Sequence, residues 1–300
     1  MKPTIQRLPT VSVVTPSMNQ GRFIEETILS VLNQDYPNVE YVVVDGGSTD
    51  GTVDILRKYD GRLRWISEPD RGQADAINKG LKLATGDIVC WLNSDDVFMP
   101  NVLSKVAGWF ADPSIEAIFT PVSVIDERGE LLFVVRRKFM DFRSLFYGCH
   151  IVNQEGIFWR RTVHEMIGYV NPTLQYAMDY DLFLRMCLFV KPVWIDEQLA
   201  CHRKHGDQKT VRRHEYLAEL LMIRERYRTA MGIGKASFWI NERIERARRR
   251  YLLYGLRGVF AEEWMDNNTL IMQAKSLMKK RRSPDGPQLE FQSSRRTLDD

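Results

Sequence analysis

Residues 88–96 read Ile88-Val89-Cys90-Trp91-Leu92-Asn93-Ser94-Asp95-Asp96, an apolar run followed by two carboxylates. Five consecutive apolar residues predict a buried strand, so the adjacent carboxylates of Asp95 and Asp96 lie where the strand ends. In an open α/β sheet the ligand crevice lies outside the carboxyl ends of the strands. Paired carboxylates there suit a hard divalent cation that holds a diphosphate. The alternative is that one of them caps the helix after Pro100.

Strands and helices alternate over the first 110 residues. Predicted strands span residues 11–15, 39–44, 63–66 and 88–92, and predicted helices span residues 22–33, 52–59, 73–84 and 101–110. This order predicts an α/β fold with a mostly parallel sheet flanked by helices. Acidic or glycine-rich turns at residues 45–51 and 68–72 also follow strands of this set. With the turn after residue 92, they predict one shared site at the carboxyl edge of the sheet.

The pattern changes after about residue 115. The predicted elements are a hairpin of residues 117–125 and 131–135, a strand at 156–160, a helix at 178–189 and a strand at 193–195. Only helices are predicted from residue 211 onward, and the proline-containing, apolar-poor end is predicted to be disordered. We therefore expect a domain over residues 1–210 that carries the site, a helical C-terminal extension over 211–282, and a disordered tail over 283–300.

The composition, with 44% hydrophobic and 27% charged residues, is typical of a soluble globular protein. The N-terminus does not resemble a signal peptide, and no apolar run reaches the roughly 18 residues that a membrane span needs. The cysteines are far apart and lack metal-site spacing, so we expect them to be reduced in a cytoplasmic protein. They are Cys90, Cys149, Cys187 and Cys201.

Charge is distributed unevenly along the chain. Residues 201–300 contain 22 lysines and arginines against 13 acidic residues, whereas residues 1–200 contain 20 against 26. Between residues 236 and 265 arginines alternate with bulky aromatic and aliphatic residues, which is typical of a helix that lies on an anionic membrane surface. Glutamates such as Glu242 and Glu245 dilute that charge. The alternative is that the aromatics pack on the first domain and the arginines are solvated.

Two of the acidic turns carry candidate ligand-binding residues. Asp45 could accept an N–H from a base edge such as the uracil imide, and the glycines after it permit close backbone approach; the alternative is ordinary turn chemistry. Asp70 suits the N-cap of the next helix, with Gln73 at the third helical position as in a capping box. Arg71 could additionally contact a phosphate or a base.

Later in the chain, Asp179 lies at the start of a predicted helix. A helix N-terminus stabilises an ionised carboxylate, which suits a general base; the alternative is simple helix-start acidity. Asp181 is better explained by an i,i+4 pair with Arg185. Arg203 and His205 lie two residues apart and share a face on an extended strand. Guanidinium suits a diphosphate and imidazole suits Mn²⁺, although a structural histidine is the alternative.

Taken in order, these residues resemble the family-2 glycosyltransferases, which are inverting nucleotide-sugar enzymes with the GT-A fold. The resemblance covers roughly residues 9–210. It rests on Val14-Thr15-Pro16-Ser17-Met18-Asn19, Val44-Asp45-Gly46-Gly47-Ser48-Thr49-Asp50-Gly51-Thr52, Glu68-Pro69-Asp70-Arg71-Gly72, Asp75-Ala76-Ile77-Asn78-Lys79-Gly80, Leu92-Asn93-Ser94-Asp95-Asp96, Met178-Asp179-Tyr180-Asp181-Leu182 with Arg185, and Arg203 with His205.

The resemblance implies a role for each matching position. The nucleotide pocket would be lined by Thr15, Pro16, Asn19, Asp70, Arg71 and Arg203. Within it, Asp45 would bind the base, Asp95 the ribose and Asp96 a Mn²⁺ or Mg²⁺ ion. His205 would help to hold metal or diphosphate, and Asp179 would deprotonate the acceptor. Two positions depart from the pattern, because many relatives have Asp at Asn93 and Glu at Met178. Glu155 is the rival base or an acceptor contact.

The implied reaction is transfer of a sugar from a nucleotide-sugar, most often a UDP-sugar in this family, to a saccharide or lipid-linked acceptor hydroxyl. Single displacement would invert the anomeric centre, and the acceptor would place the enzyme at the inner face of the membrane. No nucleic-acid partner is expected, and the oligomeric state is left open. The alternatives are a non-catalytic sugar-nucleotide-binding protein on the same fold and a sugar nucleotidyltransferase.

Overall fold

Two β-sheets form the framework of the computed structural model, which describes residues 7–136, 141–148, 153–209 and 212–254, with side chains to residue 247. Within these residues the larger sheet contains β1 (Val11–Ser17), β2 (Val39–Asp45), β3 (Arg64–Ser67), β4 (Ile88–Trp91), β6 (Ala117–Phe119), β9 (Ile157–Arg160) and β10 (Val193–Trp194). The smaller sheet contains β5 (Val97–Phe98), β7 (Val122–Ile125), β8 (Leu131–Val135) and β11 (Ala200–Arg203).

The larger sheet has the strand order β10-β6-β9-β4-β1-β2-β3. Strands β1 to β4 are parallel, β10 is parallel to β6, and β9 runs antiparallel to both of its neighbours. The register pairs Ser17 with Asp45 and Asp45 with Ser67. The first three strands therefore end side by side, as the mostly parallel sheet predicted from the sequence requires.

Helices cover both faces of this sheet. They are α1 (Ile24–Leu32), α2 (Thr52–Arg57), α3 (Gln73–Leu83), α4 (Val102–Trp109), α5 (Phe142–Gly148), α6 (Arg161–Ile167), α7 (Met178–Phe189), α8 (Arg213–Ala230) and α9 (Lys235–Tyr254), with a short 3-10 helix at Gln154–Gly156. Apolar residues of α1, α2 and α4 share one core, whereas those of α3 and α5 to α9 share the other. The alternation of side chains along each strand supplies both cores.

The predicted strand over residues 117–125 is wrong as a single element. The chain leaves the larger sheet after Phe119 and enters the smaller sheet at Val122. At the break, the backbone N–H and the hydroxyl of Thr120 both donate to the carbonyl oxygen of Gly156, and Pro121 has no N–H to continue a ladder. A side chain at Gly156 would lie 2.7 Å from the Thr120 hydroxyl, so glycine is needed there.

The C-terminal helices are part of the larger core. Tyr216, Leu220 and Ile223 of α8 and Phe238 of α9 are buried with side chains of α5 and α7. The predicted tail over residues 283–300 and the second half of the basic stretch lie outside the described residues. Within the described part of the chain, none of the helices is both long enough and apolar enough to span a bilayer. Of the cysteines described there, Cys90, Cys187 and Cys201 are buried free thiols.

Candidate active site

Asp45 lies at the centre of the loop cluster that follows the first three strands. Its side chain is fully buried. Its carboxylate accepts hydrogen bonds from the backbone N–H groups of Gly47 and Ser48, at 3.0 and 2.9 Å, and from the hydroxyls of Ser48 and Ser67. These four donors fix the turn after β2. A direct contact of Asp45 with a base stays a prediction.

The turn after β1 is joined to the turn after β2. The Asn19 backbone, in the left-handed region at φ 52°, donates to the Ser48 hydroxyl at 2.7 Å, and the Asn19 side-chain oxygen accepts from the Thr49 N–H at 2.9 Å. Thr15 is buried within β1, where its hydroxyl lies 3.1 Å from that of Tyr41; Pro16 is buried as well. Of Thr15, Pro16 and Asn19, Asn19 alone is exposed.

The turn after β3 differs from the predicted capping box. Helix α3 begins at Gln73 with Gly72 at the N-cap position, and Asp70 accepts from the Gly72 N–H at 2.7 Å. The Gln73 side chain instead donates to Asn93 at 3.0 Å. Arg71 is highly exposed and pairs with Asp75 at 3.2 Å. A backbone turn therefore holds Asp70 beside the loops that follow β1 and β2.

Asp96 is the most deeply buried carboxylate after β4. It is fully buried. One oxygen accepts from the Arg203 backbone N–H at 2.9 Å, and the other accepts from the Asn93 side-chain amide at 3.2 Å. Burial raises the pKa of Asp96 well above its usual value, and the negative charges of Asp95 and Glu155 raise it further. A cation at this carboxylate would relieve that cost.

Glu155 and His202 complete a cluster around Asp96. His202 Nδ1 lies 2.8 Å from Glu155 Oε1 and 3.4 Å from Asp96 Oδ1, and one ligand atom from each of the three residues fits within 4.8 Å of the others. Glu155 Oε2 is buried and has no hydrogen-bond partner among the described residues. Burial lowers the pKa of His202, but the carboxylates of Asp96, Glu155 and Asp95 outweigh it and raise that pKa to about 10.

Asp95, Arg203 and His205 form a second cluster next to the first. His205 Nε2 lies 3.0 Å from Asp95 Oδ2, and its Nδ1 accepts from the Asp207 N–H at 3.3 Å. The buried guanidinium of Arg203 donates to the Asp95 carbonyl at 3.0 Å and to Glu26 at 2.6 Å. Both ring nitrogens of His205 thus have protein partners, and metal or diphosphate contacts of these two residues stay predictions.

Asp179 lies on the first turn of α7. Burial raises the pKa of its carboxyl to about 7, the Tyr180 N–H opposes that rise, and the charges of Glu155 and Glu219 add to it. A carboxyl with a pKa near the working pH can accept a proton efficiently. Asp181, by contrast, pairs with Arg185 at 3.0 Å, which confirms the structural role predicted for it.

The donor set of the first cluster suits a divalent metal. Two carboxylates and an imidazole provide oxygen and nitrogen ligands of the kind that Mn²⁺ accepts, whereas Mg²⁺ prefers oxygen alone. The unpartnered Glu155 oxygen is the group that such an ion would satisfy. The raised pKa favours a protonated His202, and a bound metal ion would have to replace that proton.

His202 is the member of this cluster that sequence reasoning missed. The expectation that Arg203 and His205 share a strand face assumed that the strand continues to residue 205, but β11 ends at Arg203. Inside β11, His202 points toward Asp96 and Glu155. The signal in the sequence was the neighbouring pair of His202 and Arg203. Which of the two side chains faces Asp96 follows only from the pairing of β11 with β5 and β7.

Known proteins are similar to this chain in sequence. The model of the family "Glycosyl transferase family 2" matches residues 12–168, which is more than half of the chain. An uncharacterized glycosyltransferase of Rickettsia felis is 29% identical over 239 residues, or 71% of this chain and 38% of the relative. Chondroitin synthase of Escherichia coli is 29% identical over 187 residues, or 61% of this chain and 27% of the relative. The matches therefore cover well under half of these two relatives.

Solved structures agree with the sequence matches. S. aureus TarS 1-349 in complex with UDP-GlcNAc aligns with a TM-score of 0.55 at 19% identity, over 91% of both chains. The mannosyltransferase PcManGT from Pyrobaculum calidifontis, in complex with GDP-Man and Mn²⁺, aligns with a TM-score of 0.56 at 20% identity, over 92% of this chain and 88% of the other. The GT-A fold predicted from the sequence is confirmed. The chain belongs to glycosyl transferase family 2.

Proposed function

We propose that this protein transfers a sugar from a UDP-sugar to an acceptor hydroxyl with inversion, in the synthesis of a cell-surface polysaccharide or glycolipid. The observation that carries the proposal is the buried group of Asp96, Glu155 and His202 beside Asp95 at the carboxyl end of β4. Two buried carboxylates beside a partly buried imidazole are costly, and a cation that holds the nucleotide diphosphate would offset that cost.

The comparisons support a nucleotide-sugar donor. TarS is named in complex with UDP-GlcNAc, and PcManGT with GDP-Man. Both share only the fold with this chain, so the choice of UDP over GDP rests on the family resemblance. The loops after β1, β2 and β3, which Asp45 and Asn19 hold together, are where we place the nucleotide.

Asp96, Glu155 and His202 are the residues that would hold the metal ion. A bound Mn²⁺ or Mg²⁺ would neutralise charge on the leaving diphosphate. Asn93 donates to Asp96 and receives a hydrogen bond from Gln73, so the amide keeps the Asp96 carboxylate oriented. The departure from Asp at position 93 therefore leaves the metal carboxylate in place and supplies a donor to it.

Asp179 is the base in this proposal. Its carboxylate takes the proton of the acceptor hydroxyl while the acceptor oxygen bonds to the anomeric carbon and the bond from that carbon to the diphosphate breaks. Attack from the face opposite the leaving group inverts the centre. Asp179 is half-buried at the start of α7, so its carboxylate is only partly open to water.

The acceptor assignment rests on one relative's name and on a surface of α9. Chondroitin synthase, by its name, makes a polysaccharide, which supports a saccharide or lipid-linked acceptor. The structure adds a surface suited to lipid, which we call the α9 outer face and define as Lys235, Trp239, Ile240, Arg243 and Arg246. Its members are exposed, with Trp239 at 61% and Ile240 at 52%.

Two glutamates of α9 point inward, although one of them, Glu242, also pairs with Arg246 of this face at 3.1 Å. Glu242 and Glu245 are buried and pair with Arg224 at 2.9 Å and Arg143 at 3.2 Å. The charge of these two glutamates is therefore neutralised largely by arginines inside the fold. A helix face with three cations, an indole and an isoleucine fits an anionic membrane surface, and we propose peripheral contact there, at the cytoplasmic side.

A thermal-shift screen tests the donor assignment. We expect a UDP-sugar to raise the melting temperature in the presence of Mn²⁺ and much less in its absence, because the diphosphate and the ion bind together. The Asp54→Ala variant, which removes an exposed carboxylate on α2, should respond like the wild type, whereas Asp96→Ala should not respond. Stabilisation by GDP-sugars alone would overturn the UDP assignment, and no response to any nucleotide-sugar would overturn the function.

A further inference from the structure

The segment that leads into α7 is held by a carboxylate from another helix. Glu219 of α8 accepts hydrogen bonds from the backbone N–H groups of Gln175, Tyr176 and Ala177, each at 2.8 Å. Ala177, at the N-cap position of α7, offers no side-chain acceptor. The carboxylate of Glu219 satisfies three N–H donors at this end and complements the positive end of the helix dipole.

Glu219 lies on a helix that packs into the core. Its neighbours on α8, Tyr216, Leu220 and Ile223, are buried in the core that also contains the apolar side chains of α7. Glu219 is half-buried, so solvent screens its three hydrogen bonds only in part. The contact therefore joins two packed helices and fixes where the first turn of α7 begins.

The same segment also contacts the donor side of the site. The side chain of Gln175 lies against Gly72, where an added Cβ would be 3.1 Å from Gln175 Oε1. Gly72 is at the N-cap of α3, next to Asp70 and Arg71. Residues 175–177 thus lie between the turn after β3 and helix α8. A shift of this segment would move Asp179, two residues further on, relative to the turn after β3.

We propose that Glu219 is a positioning residue for the reaction: through residues 175–177 it fixes the carboxylate of Asp179 relative to the bound donor. The inference rests on the proposed function, in which Asp179 is the base. Displacement of a catalytic group by about 1 Å can cost up to about a hundredfold in rate. A carboxylate far from Asp179 in sequence therefore acts on turnover through geometry.

The Glu219→Gln variant tests this with minimal change of shape. An amide keeps one acceptor oxygen and turns an NH₂ group toward the backbone donors, so it cannot accept all three bonds. The matched control is Glu215→Gln, which removes an exposed carboxylate one turn earlier on the same helix. Glu219→Asp, which keeps the charge on a shorter side chain, should recover part of the loss.

Two measurements on the full chain decide the outcome. The first is release of UDP from UDP-GlcNAc with Mn²⁺, where water replaces the acceptor. We expect Glu219→Gln to lower kcat about tenfold or more while KM for the donor stays within about twofold and Glu215→Gln resembles the wild type. A rise in KM with unchanged kcat, or a general loss of folded protein that lowers all parameters together, would overturn the positioning role.

The second measurement is hydrogen exchange at the amides of residues 175–177, which does not depend on turnover. We expect these amides to lose protection in Glu219→Gln and to keep it in Glu215→Gln. Unchanged protection would overturn the proposal even if kcat falls. If the wild type releases no UDP, the proposed function fails with that donor, and the exchange result still decides whether Glu219 anchors the segment.

Discussion

Asp179 and Glu155 are two carboxylates at one site with different surroundings. Asp179 accepts a hydrogen bond from the Tyr180 backbone N–H, whereas Glu155 pairs with His202 beside Asp96. We expect Asp179→Asn to lower turnover by about 10² or more, because the amide keeps the shape and removes the basicity. Donor affinity should change little. Steady-state kinetics with UDP-GlcNAc would measure both, and an active Asp179→Asn beside a dead Glu155→Gln would transfer the role of base to Glu155.

The same assignment predicts a pH profile. Burial raises the pKa of Asp179 to about 7, and the base must be ionised to act. Below this pH the ionised fraction falls, so kcat/KM should decrease about tenfold for each pH unit. The residual activity of Asp179→Asn should lack this acidic limb. A wild-type profile that stays flat down to pH 5 would contradict the assignment.

The two histidines near the carboxylates are expected to differ in how strongly they affect metal binding. His202 contacts Asp96 and Glu155, whereas both nitrogens of His205 have protein partners. We expect His202→Ala to raise the Mn²⁺ concentration needed for half-maximal UDP release by about 10-fold or more, since even loss of a residue that only orients a metal ligand typically costs about 10- to 100-fold. His205→Ala should raise that Mn²⁺ concentration less than His202→Ala does. A larger effect of His205→Ala would restore the ligand expected from the sequence.

Helix α9 buries polar side chains beside the apolar Phe238. Asn241, Glu242 and Glu245 are buried, and the guanidinium of Arg224 lies against Glu242. Glu242→Ala leaves that guanidinium buried without this counter-charge, so we expect a loss of about 3–5 kcal/mol in the free energy of unfolding. Arg246→Ala removes an exposed partner of Glu242 and should cost less than about 1 kcal/mol. Urea unfolding of both variants checks this, and equal small losses would contradict it.

Local pattern was enough to predict the elements around the first four strands. The apolar runs at residues 11–15, 39–44 and 88–92 end where the structure ends its strands or one or two residues away from it, because burial on both faces demands continuous apolar residues. The break at Thr120 escaped prediction since it depends on Gly156, far away in sequence. Pro121 was the local signal for it.

Contacts between distant residues explain why the site was predicted only in part. Asp96 could be placed at a strand end from sequence, but Glu155 and His202 reach it through a 3-10 helix and a strand of the other sheet. The inward orientation of Glu242 and Glu245 likewise depends on Arg224 and Arg143. Neither set of contacts produces a repeating pattern in the sequence from which it could be predicted.

At the scale of the whole molecule, the α9 outer face predicts membrane binding. We expect the protein to co-sediment with vesicles of phosphatidylcholine and phosphatidylglycerol, to bind less as salt rises, and not to bind phosphatidylcholine alone. Trp239→Ser combined with Arg243→Glu should lower partitioning about tenfold or more. The control pair, Leu131→Ser with Arg64→Glu, also removes an exposed apolar residue and an exposed cation, but away from α9.

Two results would contradict lipid binding by this face. One is the absence of binding to anionic vesicles at low salt. The other is equal binding by the two double variants, which would move the contact elsewhere on the chain. If the protein instead forms a dimer that only the α9 variant disrupts, the α9 outer face binds a second copy of the chain.

Whether UDP release from UDP-GlcNAc depends on a divalent metal decides whether this protein works as proposed. The buried cluster of Asp96, Glu155 and His202 predicts release that requires Mn²⁺ or Mg²⁺, stops in excess chelator and returns when the metal is restored. Asp96→Asn should remain folded, as circular dichroism would show, and release UDP at a rate lower by about 10² or more. Full activity in excess chelator, or an Asp96→Asn variant as active as the wild type, would contradict the account.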